Sequence, residues 1–208
     1  MISLSITTLR EGAYDEVSRF ARETYDEKLG AAIPAKPHVF AYGYDDARIV
    51  GCFGLYLASK QDPLLIETYV ERAFETISGD SLVDRRMCGE LGTRAVNAPE
   101  GARSGDISIG LAATLLMFAH DTGIRYLGFT SNRTVRAIAD ALGVSLVDLG
   151  EPDLSEKDGE FRKNWKEFFR VKQLCFGLYM ESNNGCHEAL QRLSHRGIYV
   201  HQRHAAAA

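Results

Sequence analysis

The stretch Met87–Asp121, MCGELGTRAVNAPEGARSGDISIGLAATLLMFAHD, decides how the chain is read. Met87–Val96 reads as a strand, yet it carries Gly89 and Gly92 inside it. Strand interiors disfavour glycine, so these residues predict a bulge or a close backbone approach. Asn97–Gly105 is a loop rich in turn formers, and Asp106 is a fair N-cap for an apolar helix over Ile107–Asp121. A loop that runs straight into a helix leaves free N–H groups and the positive end of the dipole beside it, which stabilises an anion.

Gly101 and Gly105 allow a backbone to approach a phosphate without a Cβ in the way, and Ala102 and Ser104 are small. Arg103 adds a cation with a forked donor set. The loop suits the pyrophosphate of coenzyme A or the phosphopantetheine of an acyl-carrier protein. The alternative is that the glycines only turn the chain. Neither G-x-x-x-x-G-K-[ST] nor G-x-G-x-x-G is present, which argues against a Walker loop and a Rossmann dinucleotide site.

Outward from this unit, the rest of the chain reads as alternating strands and helices. Before it come a strand over Leu4–Leu9, a helix over Asp15–Leu29, a loop marked by Pro34 and Pro37, and a hairpin of His38–Tyr44 with Arg48–Leu57. A helix is expected over Leu64–Ile77, with Gly79 as its stop. After the unit come a strand over Ile124–Thr130, a helix over Thr134–Leu142 and a short strand over Val144–Leu149. Glu151–Asn164 reads as an exposed loop, Trp165–Met180 as one or two closing strands, and His187–Arg196 as a short helix. Residues 1–180 form the expected domain and 181–204 a peripheral extension of short helix and tail. The alanine run 205–208 carries no argument.

Composition bounds the function. The 208 residues are 45% hydrophobic and 25% charged, ordinary globular values. The 24 Lys+Arg against 28 Asp+Glu leave a formal charge of −4, so nucleic acid is not an expected partner. Cys52, Cys88, Cys175 and Cys186 are far apart, without a Cys-x-x-Cys pair, so reduced thiols in a cytoplasmic setting are expected. No apolar run is long enough to span a bilayer and no signal peptide is legible, so stable membrane insertion is not expected. His195, His201 and His204 lack a carboxylate or cysteine at a ligand spacing, so no metal is expected.

The element order looks like the GNAT acyltransferase fold, a mixed and mostly antiparallel α/β sheet flanked by helices. That resemblance implies a central strand that splays from its neighbour and a gap that receives the pantetheine arm of an acyl thioester. Within it, Glu16–Ala58, Pro63–Glu71 (PLLIETYVE) and Arg86–Gly92 (RMCGELG) resemble the thermostable hemolysin family, which carries a Leu-Glu-x-Tyr-Leu helix and a Glu-x-Gly-Asn-Leu-Ala strand. Trp165–Phe169 and Val171–Gly177 are similar to its closing aromatic region. Where the family has Asn-Leu, this chain has Thr93-Arg94. The family name describes a lytic phenotype, but no cationic amphipathic helix is legible here. Acyl-homoserine-lactone synthases share the core and carry Glu-x-Ser-Arg at this strand. Here the arginine, Arg94, falls one residue late, which flips it to the other face unless a bulge at Gly92 restores it.

The resemblance implies acyl transfer from a CoA or carrier-protein thioester to the amine of a small molecule, with Gly92 and Arg94 joining the loop at the donor. Glu90 is the candidate base, since burial would raise its pKa toward neutrality; the alternative is a glutamate on an outward strand face, solvated or paired to Arg85, Arg86 or Arg94. Glu67 and Tyr69 are further catalytic candidates at the acceptor site, the Glu67 carboxylate to recognise the amine and the Tyr69 hydroxyl as acid or anchor; the alternative is that Tyr69 packs in the core. Cys88 shares a strand face with Glu90 and is either a nucleophile or a small buried apolar residue. A synthase using S-adenosylmethionine as the amine and a non-catalytic or lytic protein are the other readings. A homodimer through the last strands is compatible with the sequence.

Overall fold

The computed structural model describes residues 1–30, 36–46, 48–60, 63–131, 135–155, 157 and 159–201, without the side chains of Leu29 and Glu167. Pro34, the expected helix start at Thr134, His204 and the alanine tail lie outside them. The strands are β1 (Ile2–Thr8), β2 (Val39–Asp45), β3 (Arg48–Leu57), β4 (Cys88–Val96), β5 (Tyr126–Ser131), β6 (Val147–Gly150), β7 (Leu174–Tyr179) and β8 (Ile198–Val200). They form one sheet in the order β6-β7-β5-β4-β3-β2-β1-β8. Among the described residues the sheet is mixed: β4–β5 and β1–β8 pair parallel, and the other five pairings are antiparallel.

Helices cover both faces. α1 (Ala13–Leu29) packs Val17 and Ala21 onto Phe40, Cys52 and Ala95, and stops at Gly30, whose φ of +58° suits glycine. On the opposite face α3 (Ser104–Asp121) is apolar almost all round, as a helix enclosed on every side must be. It lies between the sheet and the helices α4 (Val135–Leu142) and α7 (Asn184–Ser194). A Cβ on Gly110 would stand 2.7 Å from Leu4, so glycine lets α3 cross close over β1.

Four expectations change. The helix expected over 64–77 is a 3-10 turn, Ile66–Thr68, and a short α2, Ala73–Ser78, separated at Arg72 with φ +55°. Side chains compete for its backbone: Leu64 N–H donates to Glu67, Ile66 N–H to Glu90, and the Thr68 hydroxyl to Leu65 O. α3 starts three residues early, with Arg103 at the N-cap and no side-chain cap bond; Asp106 instead pairs with Arg196 at 2.8 Å. The expected loop and first closing strand hold α5 (Gly159–Asn164) and α6 (Lys166–Phe169), because Phe161, Trp165 and Phe169 recur every four residues. Finally, the segment after 180 is not peripheral. α7 buries Cys186, Ala189 and Leu193, and β8 extends the sheet beyond β1.

Candidate active site

The two central strands part. β4 and β5 are paired only over Cys88–Glu90 with Tyr126–Gly128 among the described residues. Beyond Glu90 they diverge, and a cleft of about 500 Å³ opens between them. β4 also bulges there: Gly92 opposes Gly54 and Ala95 opposes Cys52, so Thr93 and Arg94 together face Phe53. Thr93 has φ +53°, and Arg94 turns outward. The bulge anticipated at Gly92 therefore sits one residue on.

The cleft passes through the sheet. On the α1 face its wall holds Thr24, Tyr25, Phe168 and Gln173; on the other, Ala112, Leu116, Ala139 and Leu142. Its mouth is cationic. Arg94 Nη1 donates to Ser108 Oγ at 2.9 Å, one turn into α3, and Lys28 Nζ donates to Val96 O at 2.8 Å. Ser104, the first residue of α3, stands in the same wall.

The candidate donor residues divide. Gly92, Arg94 and Ser104 line the cleft. Gly101, Ala102 and Arg103 line a second cavity of about 370 Å³, on the β1–β8 side of the α3 N-terminus, with Asp106 and Arg196. Gly105 is exposed in the first turn of α3.

Glu90, Glu67 and Tyr69 come together at the inner end of β4, outside the cleft wall. Glu90 is 6% exposed and accepts from Ile66 N–H at 3.1 Å. Burial pushes its carboxyl up to about 7, against the pull of the Ile66 and Leu65 N–H groups. Glu67 is ion-paired to Arg85, with Nη2–Oε2 at 3.0 Å, and also accepts from Leu64 N–H at 2.8 Å. Its carboxylate is thus engaged in holding the 64–68 turn. Tyr69 is buried edge-on to Phe169, with Lys157 Nζ 5.1 Å from its ring centre; burial and the Glu90 charge push its hydroxyl pKa up. Cys88 is buried and its thiol is pushed up to about 12, so little thiolate exists near neutral pH.

Sequence reasoning missed Tyr56, Tyr25 and Gln173. Tyr56 on β3 shares a hydrogen bond of 2.5 Å with Thr93 Oγ1, and the charge of Glu90 reaches its hydroxyl. Tyr25 on α1 stands edge-on to Trp165 and lines the cleft with Arg94; burial pushes its hydroxyl pKa up. Alternation along β3 marks Tyr56 as sharing a face with Gly54, but nothing local ties it to Thr93. Among the described residues, no group of three His, Cys, Asp or Glu could hold a metal, and no helix is long and apolar enough to cross a membrane.

The sequence model of the thermostable hemolysin family matches residues 8–177. No curated protein matches the chain significantly. Among solved structures, the chain is similar to a CoA-dependent acyl-homoserine lactone synthase, BjaI, with SAM and isopentyl-CoA: TM-score 0.66, 15% identity, covering 100% of this chain and 96% of that one. It is similar to another such synthase, MesI, at TM-score 0.60 and 17% identity, over 96% and 99% of the two chains. FeeM, an N-acyl amino acid synthase from uncultured soil microbes, matches at TM-score 0.59 and 14% identity, over 88% and 94%. At these identities the likeness is one of fold.

Proposed function

The chain belongs to the thermostable hemolysin family, and from that premise we propose that it transfers an acyl group from a CoA thioester to an amine of a small molecule. The observation that carries the reading is the cleft between β4 and β5, with its apolar depth and its cationic mouth at the start of a long helix. A central strand that bulges and leaves its parallel neighbour is also what supports a GNAT-like assignment of the fold. A site of this size, mostly apolar with a few polar groups, suits a thioester with a substantial acyl chain.

In this reading the α3 N-terminus, Ser104 and Arg94 hold the phosphate end. The acyl chain lies against Ala112, Leu116 and Leu142. Backbone N–H groups of β4 beyond the pairing with β5 polarise the thioester carbonyl. The amine attacks that carbonyl, a C–N bond forms and the C–S bond breaks. The amine proton passes to Glu90, and the released thiolate takes a proton from solvent, leaving an amide and free CoA thiol. Glu90 lies behind the cleft wall, so the proton moves through the Tyr56 hydroxyl, which is bonded to Thr93 in that wall. Glu67 acts as a positioning residue through the turn that donates to Glu90, and Tyr69 packs beside it.

Calorimetric titration with acetyl-CoA, dodecanoyl-CoA and S-adenosylmethionine tests this directly. Dodecanoyl-CoA is expected to bind, and Arg94→Ala to weaken it about tenfold, the scale of one charge-assisted contact. S-dodecanoyl pantetheine, lacking the phosphates, should not distinguish Arg94→Ala from the wild type. Binding of S-adenosylmethionine alone would move the assignment to a synthase that uses it as the amine. Absence of any thioester binding would overturn the proposal for CoA.

A further inference from the structure

Among the described residues lining the cleft, one buried polar side-chain atom has no partner. Gln173 stands just before β7, whose first residue, Leu174, pairs with Ser131 at the open end of β5. Gln173 is 6% exposed. Its Nε2 donates to Phe168 O at 2.7 Å and to Val171 O at 2.9 Å. These bonds use both amide hydrogens and fix the orientation of the side chain. Turned over, its oxygen would face two carbonyl oxygens. Oε1 is then left buried and unpaired.

A buried acceptor without a donor is costly, and methionine or leucine would fill a similar volume without that cost. The position matters too. An arm joining a phosphate at the Arg94–Ser104 mouth to a carbonyl near Gly92 must run between β4 and β5, where Gln173 forms part of the β5-side wall. We infer that Gln173 is a substrate-binding residue, whose Oε1 accepts a hydrogen bond from an amide N–H of the pantetheine arm of the acyl donor. The inference rests on the acyl-transfer reading and adds a residue that selects an amide-bearing arm.

The test is calorimetric, on the full chain. Gln173→Met is expected to bind dodecanoyl-CoA about tenfold more weakly than the wild type, or about 1.4 kcal/mol. N-methylating the amides of S-dodecanoyl pantetheine should weaken its binding to the wild type by a similar factor and leave its binding to Gln173→Met unchanged. A measurement on the wild type alone covers the case where that variant does not fold. The 13Cδ resonance of Gln173 should shift on adding S-dodecanoyl pantetheine and stay in place with its N-methylated counterpart. Equal affinities for wild type and variant, with only a lower Tm, would make Gln173 a loop tie and overturn the inference. So would equal sensitivity of both proteins to N-methylation, or equal resonance shifts with the two thioesters. Failure of the wild type to bind any thioester would bring down the acyl-transfer reading itself, and this inference with it.

Discussion

Burial holds the Glu90 carboxyl near its midpoint at neutral pH, about 7, although the Ile66 N–H lies 3.1 Å away. The folded chain therefore binds this proton more tightly than the unfolded chain does. The stability it contributes is full below the ordinary carboxylate range and is lost as pH rises toward 7. Glu90→Gln removes that slope. Urea midpoints should be close for the two proteins at pH 5, and at pH 8 the variant should be more stable by up to about 3 kcal/mol. A difference that is the same at both pH values would argue against a buried ionisable group. In an acyl-transfer assay the wild-type rate should climb through pH 7 as Glu90 loses its proton. The variant should be slower by roughly a hundredfold or more and lack that step. Of this group, Glu90 itself was legible from its place on a glycine-broken strand. The donors that oppose its burial were not, because they come from a turn more than twenty residues earlier in the chain.

At the scale of elements, the parting of β4 and β5 governs what the cleft can admit. Ala112 on α3 and Ala139 on α4 leave its floor open. Ala139→Phe should fill that floor. Dodecanoyl-CoA affinity is expected to fall more than tenfold and acetyl-CoA affinity to stay within about twofold, since the short chain need not reach it. Calorimetry with both ligands distinguishes this from general loosening, which would weaken them together. The hairpin of β2 and β3, α1 and the run from β4 into α3 were readable from local patterns. α2 was not, since side chains take the backbone groups of its expected first turns. The opposite wall was hidden for a different reason: Phe168 and Gln173 meet Tyr25 and Thr93 only after the whole sheet has formed, and no local spacing records that encounter.

At the scale of the whole molecule, the C-terminal segment completes the core. α7 lies on α3 and α4, and β8 pairs with β1 from Ile2↔Ile198 to Leu4↔Val200. β8 has only three residues, too few for alternation to mark it in the sequence. Truncation after Met180 would uncover the apolar face of α3, so the shortened chain should lose cooperative thermal unfolding and bind hydrophobic dye. A sharp transition with a similar Tm would mean that this segment is dispensable. Among the described residues the sheet consists of two plates, β6-β7-β5 and β4-β3-β2-β1-β8, joined by three residue pairs, fewer than at any other junction between two interior strands. A load applied across the sheet should concentrate there, and anything wedged into the gap would act as the bolt that stiffens it.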